Sequence, residues 1–200
     1  SVIRQYESRL VGGRHAFRRH LGKLLTARQP SRSLLRTHRA LLDLSRTNDG
    51  RTRLISTNQD RIFEEVANFY PTVGPHIITA TPQSQGWDGL VYLHGRLPPG
   101  LEPDLLDQLI LSEKDFGRAY LLEGGHARFV ANVLRDQIIC FVGYSVDDPI
   151  LSYMTVGSEI DGFGEKYLFK SAKNPSPSPE YSTRHGCTLI EYRADREHSL

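Results

Sequence analysis

The chain has 200 residues, 38% hydrophobic and 24% charged, with a formal net charge of +2; this length suits one domain with a full core, and this composition excludes a disordered chain. No apolar run approaches the roughly 20 residues that cross a bilayer, and Ser1 to Leu10 alternates charged and apolar residues rather than forming a signal peptide. The two cysteines, Cys140 and Cys187, cannot build a four-cysteine zinc site and lie inside apolar runs, so a reducing, cytoplasmic setting is expected, with both thiols unpaired in the core.

Basic residues crowd the front of the chain (Arg14, Arg18, Arg19, Lys23, Arg28, Arg32, Arg36, Arg39). A solvated helical face is the simplest reading, and a nucleic-acid or partner surface the alternative. Residues 1–50 read as helical: Leu34, Leu35, Leu41, Leu42 and Leu44 recur at helical spacing, and Thr47-Asn48-Asp49-Gly50 ends the run with turn chemistry. The sheet region is expected over 51–200. Arg53 to Thr57 reads as a short buried strand. Asp60 is a good N-cap for a helix that carries Ile62, Phe63, Val66, Ala67 and Tyr70 on one face and stops at Pro71. His76 to Ala80 and Gly89 to Leu93 read as strands around a loop holding Trp87.

After Pro98-Pro99-Gly100 a mixed stretch leads to a helix near His126 to Arg135. Gln137 to Val142 is apolar on both faces, as a parallel strand covered from both sides would be. Asp148-Pro149 opens a further helix, and Lys166 to Lys170 and Cys187 to Tyr192 supply two last strands across the proline-rich loop Asn174 to Pro179. Strands alternating with helices predict an α/β fold: a Rossmann-like parallel sheet of about six strands with helices on both faces. Arg53 to Thr57 and Gln137 to Val142 are expected among its central strands, with the ligand crevice at the strands' carboxyl ends. Met154 is the only methionine, so Ser1 is not an intact start and 1–200 is expected to be a single domain that is a fragment, whether processed, cut from a longer protein or assembled from segments.

Polar groups close three of these strands: Ser56-Thr57-Asn58-Gln59-Asp60, Leu93-His94-Gly95 and Gly143-Tyr144-Ser145-Val146-Asp147-Asp148. Singly, each has an ordinary explanation. Asn58 can be a turn residue, Asp60 a helix cap, His94 a structural histidine and Gly143 to Ser145 a strand-to-helix turn. An amide, an imidazole and a Gly-x-Ser turn converging on one crevice constitute a candidate site.

The order and spacing of these residues resemble the sirtuin superfamily: an Asn and an Asp two apart after a short strand (Asn58, Asp60), a His-Gly after a later strand (His94-Gly95), and a Gly-x-Ser turn after a hydrophobic strand (Gly143-Tyr144-Ser145). Leu109 to Tyr120, Phe141 to Pro149, and Ile190 to Tyr192 followed by His198 are most similar to the bacterial sirtuin-like domains of antiphage defence proteins. The resemblance covers Ser33 to Leu200. Two features depart from it. The four-cysteine zinc module of the protein deacetylases has no counterpart, and neither does the glycine-rich Gly-Ala-Gly-x-Ser loop, since Gly12-Gly13 has neither a preceding apolar strand nor the spacing. Either this loop lies upstream of Ser1, which is the expectation, or the chain does not bind NAD in the usual way.

The resemblance implies NAD as substrate, no metal, and catalysis by Asn58, His94 and Asp60, with Thr57, Asn58, Asp60, Gly143 and Ser145 binding the dinucleotide. Cleaving the nicotinamide–ribose bond expels a neutral base, so the site must stabilise an oxocarbenium-like sugar and present a nucleophile to it. Asn58 can orient a water or a ribose hydroxyl, His94 can take its proton, and Asp60 can stabilise positive charge or fix the Asn58 loop. The expected activity is an NAD glycohydrolase yielding nicotinamide with ADP-ribose or its cyclised form, within a larger defence protein whose other domains or subunits are its partners, homo-oligomers being open to it. The alternative is a module that senses NAD or ADP-ribose without turnover; a nucleic-acid-binding role for the basic front segment ranks last, and no membrane partner is expected.

Overall fold

The computed structural model describes residues 2–26, 32–69, 77–78, 81–82, 86–144, 164–171 and 186–192. The chain divides into two compact units, Ser1–Ala127 and Arg128–Leu200.

The first unit opens with three helices, α1 (Val2–Arg9), α2 (Gly13–Thr26) and α3 (Arg32–Leu44). On α3, Leu35 and Leu42 are two turns apart and so share a face; both are buried with Phe63 and Val66 of α4 (Ile62–Phe69) against Leu90 and Tyr92. The His38 ring meets Phe63 edge-on at 4.5 Å. Burying a side chain such as Leu42 or Val66 contributes about 1.5–3 kcal/mol, and this cluster fixes the helical pair on its sheet. Leu44, expected inward from the spacing, is exposed beyond the stripe.

Three strands, β1 (Arg53–Ser56), β2 (Ile77–Ile78) and β3 (Gly89–Tyr92), pair in parallel in the order β1-β3-β2. The register sets Arg53 beside Gly89 and Ser56 beside Tyr92. Beyond β3 the mixed stretch resolves into α5 (Pro103–Leu106), α6 (Glu113–Phe116) and a π-helical turn, Gly117–Leu122. Leu97, Leu106 and Leu109 form a second small core here.

The basic front segment is only partly the solvated face expected of it. Arg18 of α2 is 1% exposed. Its Nη1 donates to the carbonyls of Leu106 and Leu109, 2.7 Å each, and its Nη2 to Asp115 Oδ2. Arg14, one turn earlier, donates through Nη2 to Asp115 Oδ1 at 2.7 Å. Asp115 also closes a capping box with Ser112 at the start of α6. Burial alone would raise the Asp115 pKa, but the hydrogen bonds from Arg14, Ser112 and the backbone N–H of Leu111 hold it down to about 2. Two of the arginines therefore act internally, as the docking point of α2; Arg19, Lys23, Arg36 and Arg39 are exposed.

In the second unit α7 (Gly125–Asp136, which begins in the first) buries Phe129, Val130 and Leu134. β4 (Ile139–Val142), β5 (Lys166–Ser171) and β6 (Thr188–Tyr192) pair in parallel in the order β4-β5-β6. The described strands thus form two three-stranded sheets rather than one sheet of about six. β1 and β4, expected to be central, are the outer strands of these sheets, and β3 and β5 lie between partners. β4 is not covered on both faces either: Phe141 is buried, whereas Val142 is exposed. Cys187 is buried and Cys140 exposed, neither in a disulfide, so the expectation of two core thiols holds for Cys187 alone. Tyr70, Pro71, Ser145, the helix expected from Asp148-Pro149 and the loop Asn174 to Pro179 lie outside the described residues. Among the described residues no helix is long and apolar enough to cross a membrane.

Candidate functional site

The first unit's parallel register determines where its polar groups emerge. Ser56 and Tyr92 are partners at the ends of adjacent strands, so the residues after them leave the sheet together. The Leu93 N–H donates to the Ser56 carbonyl at 2.8 Å, and the Leu97 N–H to the Gln59 carbonyl at 2.8 Å. The loop carrying Thr57, Asn58 and Asp60 is therefore bound on both sides to the loop carrying His94 and Gly95, at the carboxyl ends of β1 and β3.

Within the first loop, Ser56 Oγ accepts from the Asn58 N–H at 3.2 Å, which tightens the turn. Asn58 is exposed and, among the described residues, its side-chain amide has no hydrogen-bond partner, so it is available to a ligand. Thr57 is half-buried. Asp60 Oδ1 accepts from the Ile62 N–H at 3.0 Å, the capping role its position predicts, at the first residue of α4. Gln59 reaches across to the Ile110 carbonyl at 3.2 Å.

His94 is 6% exposed. Its Nε2 is 3.3 Å from the Tyr120 hydroxyl, and its carbonyl accepts from the Ile110 N–H at 3.0 Å. The glycine after it is obligatory on two counts. Gly95 has φ +85°, and a Cβ there would lie 2.9 Å from Leu109 Cδ2 and 3.3 Å from Leu109 Cα. The His-Gly pair is thus a histidine delivered by a backbone reversal that only glycine can make in this space.

A second support comes from Arg96, two residues on. Its Nε donates to Glu64 Oε1 at 2.6 Å and its Nη2 to Oε2, a two-pronged grip on α4. Burial pushes the Glu64 carboxyl up, but Arg96 and Arg61 outweigh it and hold the pKa below the ordinary carboxylate value. Tyr92 donates to the same carboxylate at 3.2 Å, and burial together with Glu64 raises its pKa.

Glu64, Arg96, Tyr120 and His126 escaped the sequence reading. Tyr120 lay inside a stretch recognised only as a whole, and Arg96 and Glu64 are 32 residues apart, with no periodicity that links them. His126 carried only a helix-start signal. Burial keeps its pKa low against Glu123 and a hydrogen bond to the Leu93 backbone, both of which raise it.

In the second unit Gly143 ends β4 with φ +73°, a conformation suited to the Gly-x-Ser turn. Among the described residues no group of three or more His, Cys, Asp or Glu side chains could hold a metal ion.

The arrangement offers an uncommitted amide on one loop and a buried imidazole on the adjoining one, able to orient a hydroxyl or water and to receive its proton. Comparison with known proteins agrees with the residue pattern. A family model described as a SIR2-like domain matches residues 52–184, more than half of the chain. An uncharacterized protein of Sinorhizobium fredii, y4cA, is 31% identical over 126 residues, which are 58% of this chain and 10% of that protein. The chain therefore spans about a tenth of the length of the curated relative it matches. On the family match, the chain belongs to the SIR2-like domain family, whose function is tied to NAD.

Proposed function

We propose that the chain is the catalytic domain of an NAD glycohydrolase, releasing nicotinamide and ADP-ribose or its cyclised form, within a bacterial antiphage defence protein. The observation that supports this best is the joining of the Asn58 loop to the His94 loop by the Leu93–Ser56 and Leu97–Gln59 hydrogen bonds. In this reading the C1′–N bond of the nicotinamide riboside breaks with its electron pair going to the ring nitrogen. Asn58 orients the water or ribose hydroxyl that bonds to C1′, and His94 accepts its proton. Asp60 caps α4, keeping Asn58 in place, and adds negative charge near the developing cation. Thr57 lies along the same loop, and Gly143 and Ser145 enter as dinucleotide contacts on the resemblance of the Gly-x-Ser turn. Residues 1–200 act as one sirtuin-like domain of a cytoplasmic protein, with the other domains or further copies of the parent protein as partners.

A second reading is favoured by the deep burial of His94 and its bond to Tyr120, which a purely structural histidine would share: a sensor that binds NAD or ADP-ribose without turnover. Incubating the parent protein with NAD, with no acetylated peptide present, separates the two. Nicotinamide release supports the hydrolase, and saturable NAD binding with no product supports the sensor.

A further inference from the structure

We propose that Tyr120 is a positioning residue for His94, gripping the imidazole, with His126 packed against the phenol. The inference rests on the assignment of His94 as the base, but concerns groups that neither the spacing nor the family match identifies. Tyr120 Oη is 3.3 Å from His94 Nε2, with the two rings edge-on at 6.3 Å. A hydroxyl at that nitrogen couples the imidazole's orientation, and the nitrogen on which its proton resides, to the phenol. The phenol is itself held. Its ring stacks on Phe116 at 4.1 Å and 14° and meets the His126 ring, tilted at 45°, at 5.4 Å.

One short segment, from the end of α6 to the start of α7, thus supplies both the phenol that meets the histidine and the rings that pack against that phenol. The π-helical turn Gly117–Leu122 supplies this geometry, because its wider turn displaces Tyr120 from where an α-helix would set it; such turns occur frequently at functional sites. Tyr120 faces His94, while His126 has Tyr120 on one side and Glu123 as its nearby charge. Burial lowers the His126 pKa below the ordinary imidazole value, against the opposing effect of Glu123.

The test is nitrogen-15 NMR of the histidine-labelled full chain, with the His94 signals assigned by their loss in His94→Asn. Tyr120→Phe keeps the stack on Phe116 and removes the hydroxyl. The expected result is a changed pair of His94 ring-nitrogen shifts and a displaced titration midpoint, with the backbone amide spectrum otherwise retained; unchanged shifts and midpoint would overturn the proposal. Should Tyr120→Phe fail to fold, the wild-type chain carrying carbon-13 at the tyrosine phenol carbon decides the matter: the Tyr120 signal must move with the His94 midpoint, and a flat Tyr120 signal refutes the coupling. These readouts need no turnover. NAD cleavage measured in parallel reports on the proposed hydrolase: kcat in Tyr120→Phe should fall roughly ten- to a hundredfold with KM little changed, and a parent protein that cleaves no NAD while the NMR coupling holds would remove the hydrolase and leave the positioning intact.

Discussion

Arg96 grips Glu64 with both prongs of its guanidinium, Nε to Oε1 at 2.6 Å and Nη2 to Oε2, and so ties the loop after β3 to the helix that follows β1. The pair joins the two segments that bear His94 and Asn58 at a point neither residue occupies. Arg96→Lys keeps the charge but cannot reproduce the fork, so NAD turnover should fall while the fold persists. In a double-mutant cycle with Arg96→Ala and Glu64→Gln, chemical denaturation should reveal a coupling of about 0.5–3 kcal/mol. Additive single effects would show that the two loops are held by other contacts.

The hydrogen bonds that Arg14 and Ser112 make to Asp115 render the docking of α2 sensitive to acid. Asp115 is held at about 2 against an ordinary value of 3.8, so its contribution is complete above about pH 4 and is lost as pH falls toward 2. The shift corresponds to roughly 2 kcal/mol. Asp115→Asn should flatten that part of the stability–pH curve. Asp115→Ala should cost more, about 3–5 kcal/mol, because the buried Arg18 would keep only longer carboxylate contacts, to Glu7 at 3.4 Å and Asp107 at 3.9 Å. Denaturation midpoints between pH 2 and 7 provide the measurement, and identical pH profiles for the wild type and Asp115→Asn would contradict it.

Gly95→Ala should be the most damaging conservative change beside the site. The positive φ costs about 1–2 kcal/mol for any side chain, and the approach to Leu109 Cα involves main chain that cannot rotate away. Destabilisation of at least that size is expected by thermal melting, with turnover lost through displacement of His94. Gly95→Ala with wild-type stability would mean the loop has a second conformation.

The two thiols should differ in reactivity. Cys140 is exposed on β4, and Cys187 is buried with its pKa raised chiefly by that burial. A thiol reagent added to the native chain should consume one equivalent rapidly and the second only on unfolding; two equal rates would contradict this exposure pattern.

Much of the α/β character was legible because it is local. The Leu35–Leu42 stripe, the Asp60 cap and the apolar runs at β3 and β4 each carry their signal in neighbouring residues. Sheet position was not legible. Gln137 to Val142 is the more continuously apolar run, yet Gly89 to Tyr92 is the one buried throughout, because burial depends on what the rest of the chain lays over a strand, a non-local fact. The basic front segment misled for a related reason: its sequence cannot reveal that Asp115 and two carbonyls wait for Arg18. At the site, Asn58, Asp60 and His94 were readable as strand-end polar residues. Tyr120, His126, Glu64 and Arg96 were not, since only the folded chain brings them to the loops they support.

The most direct test of the central claim is the rate of nicotinamide release by the parent protein with and without the His94 imidazole, under conditions in which the wild type is active. The account predicts that His94→Ala lowers the rate by about 10²- to 10⁴-fold, the worth of a positioned base, and that Asn58→Ala does likewise by leaving the nucleophile unoriented, with both variants folded by circular dichroism. NAD depletion that proceeds equally well without His94 would contradict the account.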